Sequence, residues 1–133
     1  IKLRRGDRES VIEMMAACET TLGEGNSIMM FPEGPRSPTG EMRPFKPGAF
    51  ELALKTRTPI LPIAIVGTEQ ALPKRGFVLQ GRHPINIRVL DPIPHDHCAN
   101  MSPAELAAHV RDVIAHEIDA SAAVSAVAEH ATP

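Results

Sequence analysis

The stretch from Phe31 to Gly48 restricts this chain more than any other. Pro32, Gly34, Pro35, Pro38 and Gly40 stand close together, and Pro47 and Gly48 follow. Proline has no amide proton and holds φ near −65°, so such a stretch is barred from a helix interior and from a central strand. It reads as an extended loop. Ahead of it, Ser27 to Phe31 is an apolar run of strand length. Behind it, a helix starts after Pro47 and Gly48, carries Phe50, Leu52, Ala53 and Leu54, and is ended by Thr58 and Pro59.

Around this loop the apolar positions alternate between two periods. Ile1 to Arg5 alternates apolar and basic residues, the period of a half-buried strand. After Gly6 and Asp7, Val11, Met14, Met15, Cys18 and Leu22 recur at helical spacing until Gly23 and Gly25 stop the pattern. Ile60 to Val66 is a nearly continuous β-rich run, the signature of a strand covered on both faces in a parallel sheet. Pro62 then belongs at the beginning of that strand or at a bulge. Ile85, Ile87 and Val89 alternate with polar neighbours and predict a further strand nearer the sheet edge. Ser102, Pro103 and Glu105 supply an N-cap, a helix-compatible first residue and a capping-box partner. Leu106, Val110, Val113, Ile114 and Ile118 give the helix that follows one apolar face.

The expected class is therefore α/β, a largely parallel sheet flanked by helices. Residues 1–120 read as part of one domain, and residues 121–133 as an Ala-rich tail that extends the last helix or frays. At 133 residues one domain is the default, and 43% hydrophobic with 23% charged residues excludes disorder and fibrous repeats.

Charge and aromatic content narrow the function. Four Phe with neither Trp nor Tyr, and a net charge of −2, argue against nucleic acid as a partner. The charge is unevenly spread: Lys2, Arg4, Arg5, Arg8, Arg36, Arg43 and Lys46 lie early, whereas Glu105, Asp112, Glu117, Asp119 and Glu129 lie late. A basic half suits an anionic ligand or a membrane surface, the alternative being solvated surface charge. Cys18 and Cys98 are too few for a disulfide framework and read as free thiols in a reducing, cytosolic setting. No stretch approaches the ~20 apolar residues of a membrane span. The chain begins with Ile, which suggests that further residues precede it.

The chemistry concentrates in Phe31-Pro32-Glu33-Gly34-Pro35-Arg36-Ser37. A carboxylate and a guanidinium sit in a restrained loop directly after an apolar strand, where open α/β sheets bind ligands. Arg36 can hold a phosphate through paired hydrogen bonds, and Gly34 permits close backbone approach. Glu33 can fix either a guanidinium or a substrate hydroxyl. The competing reading is a surface loop with a Glu-Arg pair.

This segment resembles the Phe-Pro-Glu-Gly-Thr-Arg-Ser block of the glycerolipid acyltransferase family, of the 1-acylglycerol-3-phosphate acyltransferase type. Arg5, closing Ile1-Lys2-Leu3-Arg4-Arg5, is similar to the arginine that ends the family's preceding block. Pro59-Ile60-Leu61-Pro62-Ile63 resembles its apolar-proline block, and Phe45-Lys46-Pro47-Gly48 its intervening run. The order and spacing agree across Ile1 to Gly67. The sequence departs from the pattern at Pro35, where the family has Thr.

The resemblance implies a glycerolipid acyltransferase-like fold truncated at its N-terminus, in which Arg5, Glu33, Gly34 and Arg36 bind the glycerol phosphate acceptor. It implies acyl transfer to a lysophosphatidic acid-like acceptor in phospholipid biosynthesis, with acyl-CoA or acyl carrier protein as donor and no further cofactor. It also implies work at the cytoplasmic face of a membrane, peripheral or anchored by upstream residues. The family's catalytic His-x4-Asp is missing: five residues after His83, His95, His97, His109 and His116 stand Arg88, Asn100, Ser102, Ile114 and Ser121. That dyad is expected upstream of Ile1, and the chain alone is expected to be inactive. Two alternatives stay open, a non-catalytic phosphate or phospholipid binding module and an enzyme with another acceptor such as glycerol 3-phosphate.

Three lesser signals read as structural. Pro94-His95-Asp96-His97-Cys98 has metal-ligand residue types, but adjacent ligands seldom close a tetrahedral shell, so no metal is expected. Asn100-Met101-Ser102 reads as loop plus N-cap instead of a glycosylation acceptor. Met14, Met15, Met29 and Met30 read as core filler.

Overall fold

The structure, a computed structural model, describes residues 8–34, 41–68 and 84–129. The predicted opening strand at Ile1 to Arg5 lies outside them. The first helix, α1 (Arg8–Gly23), covers the predicted helical pattern. Its end is tied off by amide bonds from Glu24 to Thr20 and from Asn26 to Thr21, and Gly25 turns the chain at a φ of 84°. A left-handed residue past a helix end is the usual way to satisfy the last carbonyls. Cys18 is the buried residue of α1, while Val11 and Ile12 are exposed.

Residues 27–31 belong to no strand, and Met29 and Phe31 are 65% and 70% exposed. The strand expected there is not formed among the described residues. An apolar run becomes a strand only with a ladder partner, and none of the described residues supplies one. Met29 is correspondingly not core filler, whereas Met14, Met15 and Met30 are half-buried.

The second helix, α2 (Gly48–Thr56), begins where Pro47 turns the chain. The Pro47 carbonyl accepts the amides of both Phe50 and Glu51. Its end comes slightly before the predicted stop, because Arg57 takes a left-handed conformation at φ 55° and donates its amide back to Ala53 and Leu54. Lys55 reaches Glu19 at 2.6 Å and links α2 to α1.

Strand β1 (Ile63–Val66) starts directly after Pro62, as its missing amide requires. The Pro62 carbonyl still accepts from Leu90, so the ladder passes the proline on its acceptor side. The partner strand β2 (Asn86–Val89) runs antiparallel, pairing Ile63 with Val89 and Val66 with Asn86. A bridge between Ile60 and Ile93 prolongs the pairing. Among the described residues this antiparallel pair is the sheet, so the parallel arrangement expected from the sequence is not found there. A continuous apolar run reports burial on both faces and carries no information about strand direction. Ala64 is 1% exposed, yet every residue of β2 is exposed, which fits the edge position expected for it.

A four-residue turn of helix, α3 (His95–Cys98), leads to the long α4 (Pro103–Glu129). The start of α4 is the capping box read from the sequence. The Ser102 hydroxyl accepts the Glu105 amide at 3.3 Å, and the Glu105 carboxylate accepts the Ser102 amide at 2.8 Å. The Ser102 amide first, and then the Ser102 hydroxyl, hold the Glu105 carboxyl below its ordinary pKa. The helical backbone continues through much of the Ala-rich segment to Glu129.

The core is built where α4 crosses α2 and β1. Leu106, 0% exposed, packs with Phe50, Cys98, Ala107 and Val110. Phe45, Ile60, Ile93 and Ile114 close the rim of this cluster. No described helix is long and apolar enough to cross a membrane.

Candidate functional site

Glu33 and Gly34 fall among the described residues, whereas Arg5 and Arg36 lie outside them. The convergence of the two arginines expected from the sequence therefore falls on residues whose placement is not described. What the structure gives is the two arms that flank residues 35–40.

The outgoing arm of that loop is a tight turn. Pro32 presets the chain direction, and the Gly34 amide closes back on the Phe31 carbonyl at 3.3 Å. Gly34 itself has a φ of 82°, a left-handed value that an L side chain adopts only with strain. The returning arm, residues 42–46, is clasped to the outgoing one by two main-chain donors. The Arg43 amide donates to the Glu33 carboxylate at 3.2 Å, and the Lys46 amide donates to the Pro32 carbonyl at 2.9 Å.

Glu33 thus fixes neither of the two basic side chains on the returning arm; it holds that arm by its backbone. Lys46 lies over Gly34, its Cε and Nζ both 3.3 Å from where a Cβ on that glycine would stand. No ion pair ties up Lys46 among the described residues. Gly34 therefore has two roles, the left-handed turn and room for an ammonium group against the backbone.

The returning arm is anchored at both ends. Phe45 stacks on Phe50 of α2, ring centres 6.3 Å apart and planes within 9° of parallel, and Pro47 opens α2 immediately afterwards. At the other end, the Arg111 guanidinium of α4 donates from Nη2 to the Met42 carbonyl at 3.0 Å. Sequence reasoning placed Lys46 among the loop's basic residues without a role and did not single out Arg111. The Phe45-Lys46-Pro47-Gly48 run was the available signal for Lys46. A contact spanning 69 residues, as between Arg111 and Met42, leaves none.

The metal-like residues near Pro94 are arranged as α3. Cys98 is buried there, its thiol directed to the carbonyls of Pro94 and His95. His95 meets its neighbour Asp96 at 3.8 Å. Among the described residues no group of His, Cys, Asp and Glu side chains is arranged to hold a metal ion.

Comparison with known proteins places this loop in a family. The sequence model described as Acyltransferase matches residues 1–66, the span holding the loop and both of its arms. A chloroplastic 1-acyl-sn-glycerol-3-phosphate acyltransferase of Brassica napus, BAT2, is 40% identical over 73 residues, 55% of this chain and 21% of that protein. The alpha form of the mouse 1-acyl-sn-glycerol-3-phosphate acyltransferase is 39% identical over 92 residues, 68% of this chain and 31% of that protein. The chain thus spans about a fifth to a third of these relatives. The crystal structure of the 1-acyl-sn-glycerophosphate (LPA) acyltransferase PlsC from Thermotoga maritima superimposes with a TM-score of 0.71 at 27% identity, covering 81% of this chain and 45% of that one. With the motif order, the loop geometry and these matches in agreement, the chain belongs to the glycerolipid acyltransferase family of the 1-acyl-sn-glycerol-3-phosphate acyltransferase type.

Proposed function

We propose that this chain is the acceptor-binding part of an enzyme that transfers a fatty acyl group to the free hydroxyl of a lysophosphatidic acid-like acceptor, with Arg5 and Arg36 holding the phosphate. The observation carrying this reading is the clasp between residues 31–34 and 42–46, with its glycine turn and an ammonium group that no described residue pairs. Arg36 stands two residues beyond Gly34 in the sequence. Guanidinium groups on a dianionic phosphate give charge-assisted, bidentate contacts, which is the chemistry the acceptor offers. Lys46 adds a compact point charge beside the turn. Gly34 lets the phosphate approach the main chain, and Glu33 keeps the two arms in register.

Acyl-CoA or acyl carrier protein is the donor, and no further cofactor takes part. A hydroxyl at its normal pKa attacks a thioester only once a positioned base removes its proton, so the His-x4-Asp pair absent from these 133 residues belongs to a preceding segment. The acceptor is a lipid, which places the site at a membrane surface, on the cytoplasmic face. A non-catalytic phospholipid-binding module is the second reading, favoured by that same missing pair.

Arg36→Glu in the complete enzyme tests the assignment. Acceptor saturation should be lost, with at least a ~100-fold fall in kcat/KM, the scale expected when a charge-assisted contact to a phosphate is reversed. Unaltered acceptor saturation in that variant overturns the reading. Acyl transfer by a protein containing the segment upstream of Ile1 separates the enzyme from the binding module.

A further inference from the structure

Arg111 makes an uneconomical contact unless the loop depends on it. It sits on α4 with a side chain 34% exposed, and its Nε is buried with no acceptor among the described residues. Nη1 meets the adjacent Asp112 carboxylate at 3.3 Å, a contact within the helix's own surface. The long-range contact is Nη2 to the Met42 carbonyl. Leaving a buried guanidinium nitrogen unpaired costs stability, so the compensating gain should lie where that contact leads.

The helix does not need it. Leu106, Ala107 and Val110 are buried against Phe50 and Cys98, and Ile114 packs on the same cluster, while Arg88 of β2 pairs with Glu117, so α4 is held without Arg111. The returning arm is the side that gains. Met42 directly precedes Arg43, whose amide holds Glu33, and the same arm delivers the Lys46 amide to Pro32 and its ammonium to Gly34.

We propose that Arg111 is a positioning residue for the acceptor-phosphate site: through the Met42 carbonyl it sets the returning arm, and thereby the register of Glu33 and Lys46 on the Gly34 turn. The assignment rests on the functional reading above. It brings into the site a residue well beyond the span that the family model matches, residues 1–66.

The test uses the 133-residue chain, with phosphatidylcholine vesicles containing lysophosphatidate or, as control, lysophosphatidylcholine. Arg111→Met keeps the aliphatic stem and removes the donors; Arg111→Lys restores one donor. In the Met variant, binding to lysophosphatidate vesicles should weaken roughly fivefold to tenfold, part of the worth of the one charged hydrogen bond removed. Amide exchange at Arg43 and Lys46 should accelerate, while the melting temperature falls by no more than about 4 °C. The Lys variant should recover most of the binding. Unchanged exchange at Arg43 and Lys46, or a large fall in melting temperature with binding intact, assigns Arg111 to scaffold stability and overturns the proposal. If Arg36→Glu also leaves lysophosphatidate binding intact, the phosphate site itself is wrong; if Arg36→Glu abolishes binding and Arg111→Met does not affect it, only the positioning role fails.

Discussion

Two glycines show how single residues set this architecture. At Gly67 φ is 92°, and a Cβ there would stand 2.3 Å from the Pro84 carbonyl oxygen, a main-chain atom that cannot swing aside. Gly67→Ala should therefore cost roughly 2–4 kcal/mol, from left-handed strain and a backbone clash together, measured as a fall in the urea midpoint. Gly34→Ala meets only the flexible end of Lys46 and should cost about 1 kcal/mol, while displacing the ammonium group from the turn. The turn at Gly34 was legible from the sequence because a glycine between prolines restricts the backbone to a loop. The partners of Glu33 were not. A main-chain amide ten residues away has no side-chain signature, and a guanidinium on a distant helix has even less.

Among the elements, helices were easier to read than the sheet. The start of α4 was given in full by Ser102, Pro103 and Glu105, because a capping box is a local device whose partners sit three residues apart. It also yields a pH dependence. The Glu105 carboxyl is held below its ordinary value of 4.5, chiefly by the Ser102 amide and then by its hydroxyl. A carboxyl with a lowered folded-state pKa stabilises above its unfolded value and loses that contribution as pH falls through the folded one. The urea midpoint of the wild-type chain should thus drop more between pH 6 and about 3 than that of Glu105→Gln. Ser102→Ala should cost about 1 kcal/mol at neutral pH, seen in the same measurement. Strands were harder because pairing is non-local: Ser27 to Phe31 has a strand's composition without a described partner, and Ile60 to Val66 gave no hint that β2 would run against it.

At the scale of the whole molecule, a small core around Leu106 supports a sheet with open flanks. Ile85, Ile87 and Val89 are exposed, and β2 pairs on one side only among the described residues. Exposed apolar edges of this kind template association with other chains. Ile87→Lys should reduce light scattering of the concentrated chain while changing its stability by no more than about 0.5 kcal/mol, since the side chain is already in water. The loop obeys a different logic. Its clasp relies on the amides of residues 43 and 46, a donor that nineteen of the twenty amino acids possess. Mutational drift at position 43 can consequently recolour the surface charge without loosening the clasp, and proline is the one replacement that would silently unfasten it.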